Sequence, residues 1–316
     1  MSVYTDARSK PGNKLVGGAD DRELFMRNFS DDVMEAYEQS FDFEGQSMVK
    51  HISQGKSDVF PIIGRKRDAA DHVPGEIILG GTVEHNEREI TLDNMTVDSA
   101  FIAEIDELMA HYNLSAPYSR QLGQSLSAVS NARIAQMMVL ASRETTPPYT
   151  GGPVPSYYWN ANVATDPAKI EDAAYEGVEY IRKNDIGGKL PIFWLPWKQK
   201  LLMARYTGID SEATSGSGNR STGETGLVAG ISLKGTNFVP NTNVTTGLTK
   251  YRGNFTTTVG VIANDMAVGT LKRRAKKVVL KEQEDRLGTL LIASQLEGHG
   301  KLRPECSFEV ASAVRA

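Results

Sequence analysis

The sequence predicts a mixed protein, α+β or α/β, with one long helix and a hairpin that is marginal by itself. Three observations carry this. A helical pattern runs from Ser115 over roughly 28 residues, about 42 Å at 1.5 Å each. Residues 64–94, GRKRDAADHVPGEIILGGTVEHNEREITLDN, read as a long two-stranded excursion with polar flanks. A lone hairpin of that kind is marginal in water, so it needs a neighbour to lie on. From about 160 to 265, helical and strand-like segments alternate, as in a compact unit inserted after the long helix.

Composition narrows the class. The chain has 316 residues, 35 basic against 39 acidic, for a net charge of −4. That length fits about two domains or one elaborated domain. Near-balanced charge argues against a dedicated nucleic-acid binder, which carries a basic excess. The single cysteine, Cys306, excludes an internal disulfide and any thiolate metal cluster. No stretch approaches the 18 apolar residues of a membrane-spanning helix. The opening MSVYTDARSKPGNKL lacks the apolar segment of a secretory signal. The expectation is a soluble, cytoplasm-made protein with no membrane partner and no cofactor.

The elements follow in order. Residues 1 to about 19 are polar and read as a flexible arm. Asp20 to Phe43 is helical, with Leu24, Phe25 and Phe29 on one face and Val33, Met34, Tyr37 and Phe41 continuing it. Asp31 capping a second, separate piece is the alternative. Gly45 ends the pattern, and SMVKHI reads as a strand of open register. Within the excursion, Ile77 to Leu79 and Arg88 to Leu92 are the strand-like pieces; Pro74-Gly75 and Gly80-Gly81 are turn signals. Asp98 to Tyr112 predicts an amphipathic helix with Phe101, Ile102, Ile105, Leu108, Met109 and Tyr112 as its stripe. The long helix follows, with Ser115 as N-cap and Pro117 in its first turn.

After the Tyr-rich loop 145–164, Asp166 caps another helix with Pro167 at its first position. Its buried face is Ile170, Ala174, Val178 and Ile181, and Gly187-Gly188 is its expected stop. LPIFWLP reads as a buried strand, PWKQKLLMARYTG as a helix, and 210–226 as a polar loop. LVAGISLKGTNFV predicts a strand pair or a bulged strand, and Thr256 to Ile262 another strand. Local pattern leaves Arg286 to Glu297 open between helix and strand.

Catalytic motifs appear only in fragments. Gly55-Lys56-Ser57 ends like a phosphate-binding loop, but Lys50 stands where the first glycine must be. His85-Asn86-Glu87 imitates half of a zinc-deaminase signature whose other half needs two cysteines. The five histidines are scattered, without ligand spacing, and read as surface or capping residues. Gly123-Gln124-Ser125 and Gly230-Ile231-Ser232 lack the closing glycine of a nucleophile elbow. No catalytic, metal or cofactor residues are therefore assigned. The basic run Lys272, Arg273, Arg274, Lys276, Lys277 precedes Glu282, Glu284 and Asp285. It reads as a solvated face, as complementary charge across a subunit contact, or as non-specific contact with phosphates.

Two stretches, HISQGKSDVFPIIGR (51–65) and GHGKLRPE (298–305), closely resemble the major capsid protein of T-seven-like podophages, short-tailed phages. AEIDELMAHYNLSAPYSRQLGQSLS (103–127), ETGLVAGISLKGTNFVP (224–240) and AVGTLK (267–272) resemble further parts of that family in the same order. The resemblance covers most of the chain from about residue 20.

The resemblance implies the α+β, HK-97 type phage capsid fold. Its parts would be an N-terminal arm at 1–57, an E-loop at 58–92, a P-domain with the spine helix at 93–155, an A-domain at 156–264, and P-domain return strands at 265–316. It favours a strand for Arg286 to Glu297. It also implies a non-catalytic role: self-assembly as hexamers and pentamers into an icosahedral shell around double-stranded DNA. The implied partners are a scaffolding protein, a portal protein, the packaged DNA held non-specifically and, as an option, a decoration protein. The implied location is the virion capsid, assembled in the host bacterial cytoplasm. Expected interface residues are Phe60, Pro61, Arg65, Lys66 and Arg67 at the E-loop base, and Pro74, Gly75, Gly80 and Gly81 at its bend or tip. His299, Arg303 and Glu305 are expected in a turn of the P-domain. Lys66 is the candidate donor for a covalent crosslink of the kind some relatives of this fold make. An encapsulin-like compartment shell is the alternative, and a hydrolase with its site in 156–264 is a third reading.

Overall fold

The structure, a computed structural model, describes residues 33, 35–37, 41–43, 45–66, 69, 71–72, 74–75, 77, 80–105, 115–206 and 227–315. Four strands come first: β1 (Met48–His51), β2 (Ser57–Ile63), β3 (His85–Thr91) and β4 (Thr96–Ala103). The long helix α1 (Ser115–Ser142) follows, then β5 (Tyr157–Trp159), α2 (Pro167–Lys183), β6 (Ile192–Leu195) and α3 (Trp197–Ala204). Next come β7 (Leu227–Val228), β8 (Ile231–Gly235), β9 (Asn243–Val244), β10 (Gly253–Asn254) and β11 (Thr258–Ala263). The long strands β12 (Val268–Gln283) and β13 (Gly288–Lys301) precede β14 (Ser307–Ala311). The sheets run β1-β12-β13-β4, β5-β14-β11-β6-β8-β7, β2-β3 and β10-β9.

The chain forms two compact units. One comprises Met1–Asp42, Leu92–Asn131 and Lys272–Glu297; the other comprises Phe43–Thr91, Ala132–Leu271 and Gly298–Ala316.

In the first unit β4 pairs antiparallel with β13 over eight residues, from Gly288 opposite Ala103 to Gln295 opposite Thr96. The first half of α1 lies on this sheet. Val33, Tyr37, Ile102, Leu122, Leu126, Leu291 and Ala293 form the core. Gly123 is required here, because a Cβ would meet the Val33 carbonyl oxygen and Ala36. The helix predicted from Asp98 is corrected. Residues 96–103 are strand β4, Glu104 and Ile105 are helical, and the rest of the predicted span, 106–112, lies outside the described residues. Adjacent apolar pairs such as Phe101-Ile102 fit either period, and the ladder with β13 decided for strand. Ile105, expected in the buried stripe, is 55% exposed. Arg286 to Glu297 is strand from Gly288 onward, as the family resemblance favoured.

The second unit centres on the six-stranded mixed sheet. β11 is antiparallel to β14 and to β6, β14 is parallel to β5, and β6 is parallel to β8. Every residue of β11 and β14 is buried. Helix α2 starts where its sequence says it should: Asp166 accepts a hydrogen bond from the Ala168 N–H, with Pro167 at the first position. Its face of Ile170, Ala174, Val178 and Ile181 packs on Phe193, Ile262 and Phe308. The expected stop at Gly187-Gly188 is corrected. The helix ends at Lys183, and Asp185 takes the left-handed conformation (φ 48°). Its N–H bonds the Arg182 carbonyl, and the Ile186 N–H bonds the Ile181 carbonyl. This is a glycine-type termination made by an aspartate. Burial of Ile186 against the core favours the early turn. LVAGISLKG is a strand pair, β7 antiparallel to β8, turned at Ala229-Gly230. Phe43 is fully buried against Trp194, ring centroids 4.4 Å apart.

Helix α1 has the predicted 28 residues. Its second half is apolar nearly all round, with Ile134, Ala135, Met137, Met138, Val139 and Ala141 almost fully buried. Buried serines along it are satisfied by helix carbonyls: Ser127 donates to Gln124 and Ser142 to Val139.

Candidate assembly interface

The excursion is paired differently from its prediction. β2 and β3 form an antiparallel ribbon with Ser57 opposite Thr91 and Ile63 opposite His85. Ile77, expected in a strand, is not in one and is 86% exposed; residues 78 and 79 lie outside the described residues. The reason is burial. Phe60, Ile62 and Ile90 alternate onto one face and are nearly inaccessible. Ile90 rests on Gly269 and Gly300, where a Cβ would collide with it. Among the described residues nothing comparable anchors Ile77.

Polar contacts then fix the ribbon to its unit. Arg88 Nη1 donates to both carboxylate oxygens of Glu144, just past α1, at 2.9 and 3.1 Å. The Arg303 guanidinium donates to the Ile63 carbonyl at 2.7 Å. Asn86 donates to the Pro148 carbonyl, and Lys250 to that of Thr91. Gly64 closes the ribbon by donating to the Glu84 carbonyl at 2.7 Å, and the Tyr149 ring leaves no room there for a Cβ.

Each expected interface residue can now be placed. Phe60 is buried in β2, while Pro61 beside it is exposed. Arg65 bonds the carbonyl of Asp185 and pairs with its carboxylate at 2.9 Å. Lys66 lies against Gly81, and both line an open cleft of about 460 Å³ with Glu84 and Tyr149. Arg67 lies outside the described residues. Pro74-Gly75 is a turn with Gly75 at φ 100°, a conformation natural only to glycine. Gly80 has open space around it.

His299 is corrected. It lies not in a turn but within β13, at 1% exposure, its Nδ1 3.0 Å from the Thr270 hydroxyl. Its backbone N–H donates to the Tyr251 hydroxyl. The general reading of the histidines as surface or capping residues fails here, because the ring fills a core position. Arg303 and Glu305 do sit at a turn, the 3-10 helix Pro304–Cys306 and the residue before it. The two sequence stretches singled out above therefore meet: Arg303 of GHGKLRPE holds Ile63 of VFPIIGR.

Glu305 is 2% exposed, and its Oε2 has no hydrogen-bond partner among the described residues. Arg303 approaches its other oxygen only to 3.9 Å. Burial, the leading cause, raises its carboxyl above the usual carboxylate range, partly offset by Arg303 and Arg88. A carboxyl raised in the folded state opposes folding when ionised. Stability is fullest below the unfolded value near 4.5 and falls as pH rises through the folded value. Glu305→Gln is therefore expected to raise the urea midpoint at pH 7, the gain shrinking toward pH 4. An equal gain at both pH values would contradict this account.

Sequence reasoning missed a second cluster. Glu309, in the centre of β14, is fully buried. Arg143 grips it at 2.9 and 2.7 Å, Arg315 at 3.1 Å, and the Thr258 hydroxyl donates to it at 2.6 Å. Arg315 also stacks on Tyr157 and bonds the Ser142 carbonyl. The available signal was a lone acid inside the apolar run SFEVA. Among the described residues no group of three His, Cys, Asp or Glu side chains is placed to hold a metal. No helix there is long and apolar enough to cross a membrane.

The geometry is a fixed ribbon whose described outer residues, 69, 71, 72, 74, 75, 77 and 80, are all exposed. Comparison with known proteins gives this its family. Residues 59–311, four fifths of the chain, match the family model described as Gp10A-like: Major capsid protein. The chain belongs to this family. That family's description is a structural one, a major capsid protein. The major capsid protein of Escherichia phage T7 is 33% identical over 137 residues, 42% of this chain and 39% of that protein. The match thus spans about two fifths of the length of that curated relative. The solved capsid of cyanophage P-SCSP1u is similar with a TM-score of 0.77 at 29% identity, covering 87% of this chain and 88% of that one. The mature capsid of bacteriophage PhiM1 gives 0.70 at 18% identity over 85% and 86%. These neighbours give the capsid chain the HK-97 type fold.

Proposed function

We propose that the capsid chain assembles with copies of itself, as hexamers and pentamers, into a closed icosahedral shell around double-stranded DNA. The observation that carries the reading is the β2–β3 ribbon. Its base is clamped by Arg88, Arg303 and Lys250, yet its outer residues, Ile77 among them, are left exposed. In this reading residues 1–57 are the arm, 58–92 the E-loop, 93–155 and 265–316 the P-domain, and 156–264 the A-domain. The E-loop, with Lys66 and Arg67 at its base and Pro74, Gly75, Gly80 and Gly81 at its bend or tip, buries itself on the adjacent subunit. Phe60, Pro61, Arg65, Arg303 and Glu305 hold its root, and His299 supports them from the core. Each contact can be weak, because closure multiplies many of them.

A scaffolding protein guides assembly in the host cytoplasm, and a portal protein occupies one vertex. Near-neutral charge suits a wall that must release its DNA, since a strongly basic lining would grip phosphates through counterion release. Expression with the scaffold, followed by sedimentation and negative-stain microscopy, is expected to show closed shells, and the filled particles to contain DNA. Only compact solitary chains would refute the reading. Closed particles holding cargo protein and no DNA would favour the compartment-shell alternative.

A further inference from the structure

We propose that Glu305 is a proton-operated latch on the root of the β2–β3 ribbon: protonated, it leaves Arg303 holding Ile63, and ionised, it draws Arg303 away and loosens the ribbon. The latch is a property of the single chain; its use in repacking the E-loop rests on the shell-forming reading above.

The geometry sets up a competition for one guanidinium. Arg303 Nη2 donates to the Ile63 carbonyl at 2.7 Å, while Nη1 stands 3.9 Å from Glu305 Oε1. A charge-assisted bond needs about 2.7–2.9 Å, so Arg303 serves the ribbon and not the carboxyl. Closing the gap moves the guanidinium by about 1 Å, and because the group is one planar unit, Nη2 moves with it. Glu305 is 2% exposed, and its Oε2 has no hydrogen-bond partner among the described residues. A buried carboxylate in that state is costly, and the neutral acid costs far less.

The groups facing Glu305 do not supply the charge it lacks. Arg88, on the ribbon strand β3, is committed to Glu144, which Lys301 also approaches at 4.0 Å. Glu144 opposes a second negative charge nearby. Burial keeps Tyr180 and Cys306 neutral, and the Tyr180 hydroxyl donates to the Val154 carbonyl. Asp265, which faces Cys306, has Lys189 at 3.8 Å. Burial and Glu144 therefore hold the Glu305 carboxyl above its ordinary range, and its own backbone N–H, Arg303 and Arg88 offset only part of that.

The sign follows by linkage. Loosening the root admits water and returns the carboxyl toward its ordinary value of 4.5. The clamped state thus binds the proton more tightly. Its advantage is complete below the ordinary value and is lost as pH rises through the higher, clamped value. Between the two values each pH unit shifts the balance of clamped and loosened roots by up to about tenfold.

The test is amide hydrogen exchange on the single chain at pH 5 and pH 8, corrected for intrinsic rates. It is read in ribbon residues 57–63 and 85–91, with β11 and β14 as the internal reference. In the parent, ribbon protection is expected to fall about tenfold between the two conditions while β11 and β14 hold theirs. E305Q is expected to stay protected at both, and R303Q, which lacks the clamp, to be loose at both. H85Q controls for the histidine opposite Ile63, a residue type that changes charge in this range, and is expected to respond like the parent. A parent ribbon indifferent to pH overturns the latch, whether or not a variant folds. So does a loss shared by β11 and β14, a parent-like response in E305Q or R303Q, or no response in H85Q. A chain that shows the latch but forms no shells with its scaffold refutes the shell reading and leaves the latch standing.

Discussion

Replacing residues 66–82 with an Asn-Gly turn, so that Arg65 leads directly into Val83, is expected to leave a folded chain that closes no shells. The register supports the surgery. Ile63 lies opposite His85, and the Gly64 N–H bonds the Glu84 carbonyl, so residues 65 and 83 face each other across the ribbon. Asn-Gly is the natural two-residue connection there. The buried Phe60, Ile62 and Ile90 stay in place, as do the Arg88–Glu144 and Arg303–Ile63 contacts. Melting temperature should shift by no more than a few degrees, because no described residue of the deleted segment belongs to either core cluster. Shell yield by sedimentation should fall below detection. Normal shells from this variant would show that the excursion is not the limb that joins neighbours.

Glu309→Ala is expected to be the most damaging single substitution in the described core. Its carboxylate is shared by Arg143 and Arg315, with side-chain exposures of 20% and 18%. Removing it leaves two guanidinium groups side by side without their shared counter-charge, held only by neutral oxygens of Asn254, Thr258 and Ser142. Breaking a buried pair in this way costs about 3–5 kcal/mol. That is a large part of the 5–15 kcal/mol typical of a folded protein. The urea midpoint should drop accordingly. Arg315→Ala should cost far less, because Arg143 keeps both of its bonds to Glu309. If Glu309→Ala and Arg315→Ala proved equally mild, the network would not be what fastens β14 between β5 and β11.

Elements with a strong local signature were legible. The Asp166 cap with Pro167, the 28-residue helix and the buried LPIFWLP strand all lie where the residues place them. The helix read at 98–112 shows the limit. An apolar pattern tolerant of two periods takes the one its neighbour imposes, and β13 supplied a ladder that no local window contains. Asp185 shows the same limit from another side. The nearby glycines were the better candidates for a left-handed residue, but burial of Ile186 moved the turn forward. The candidate interface was half legible. The stretches 51–65 and 298–305 were found by resemblance, while the bond that joins them, Arg303 to Ile63, spans 240 positions.

What the sequence by itself determined was the class of protein. Local pattern alone described a mixed helix-and-strand chain with one long helix and a hairpin in need of a neighbour, and the resemblance carried by residues 51–65 and 298–305 made it a capsid chain. Only the tertiary structure decided which strands pair in the excursion, that His299 is core, and that Glu309 anchors two arginines. The physical reason is range. Caps, periods and turn residues act within a few positions. A buried carboxylate or a strand's partner is settled by desolvation and hydrogen bonding between segments from about twenty to well over a hundred residues apart, visible only once they have met.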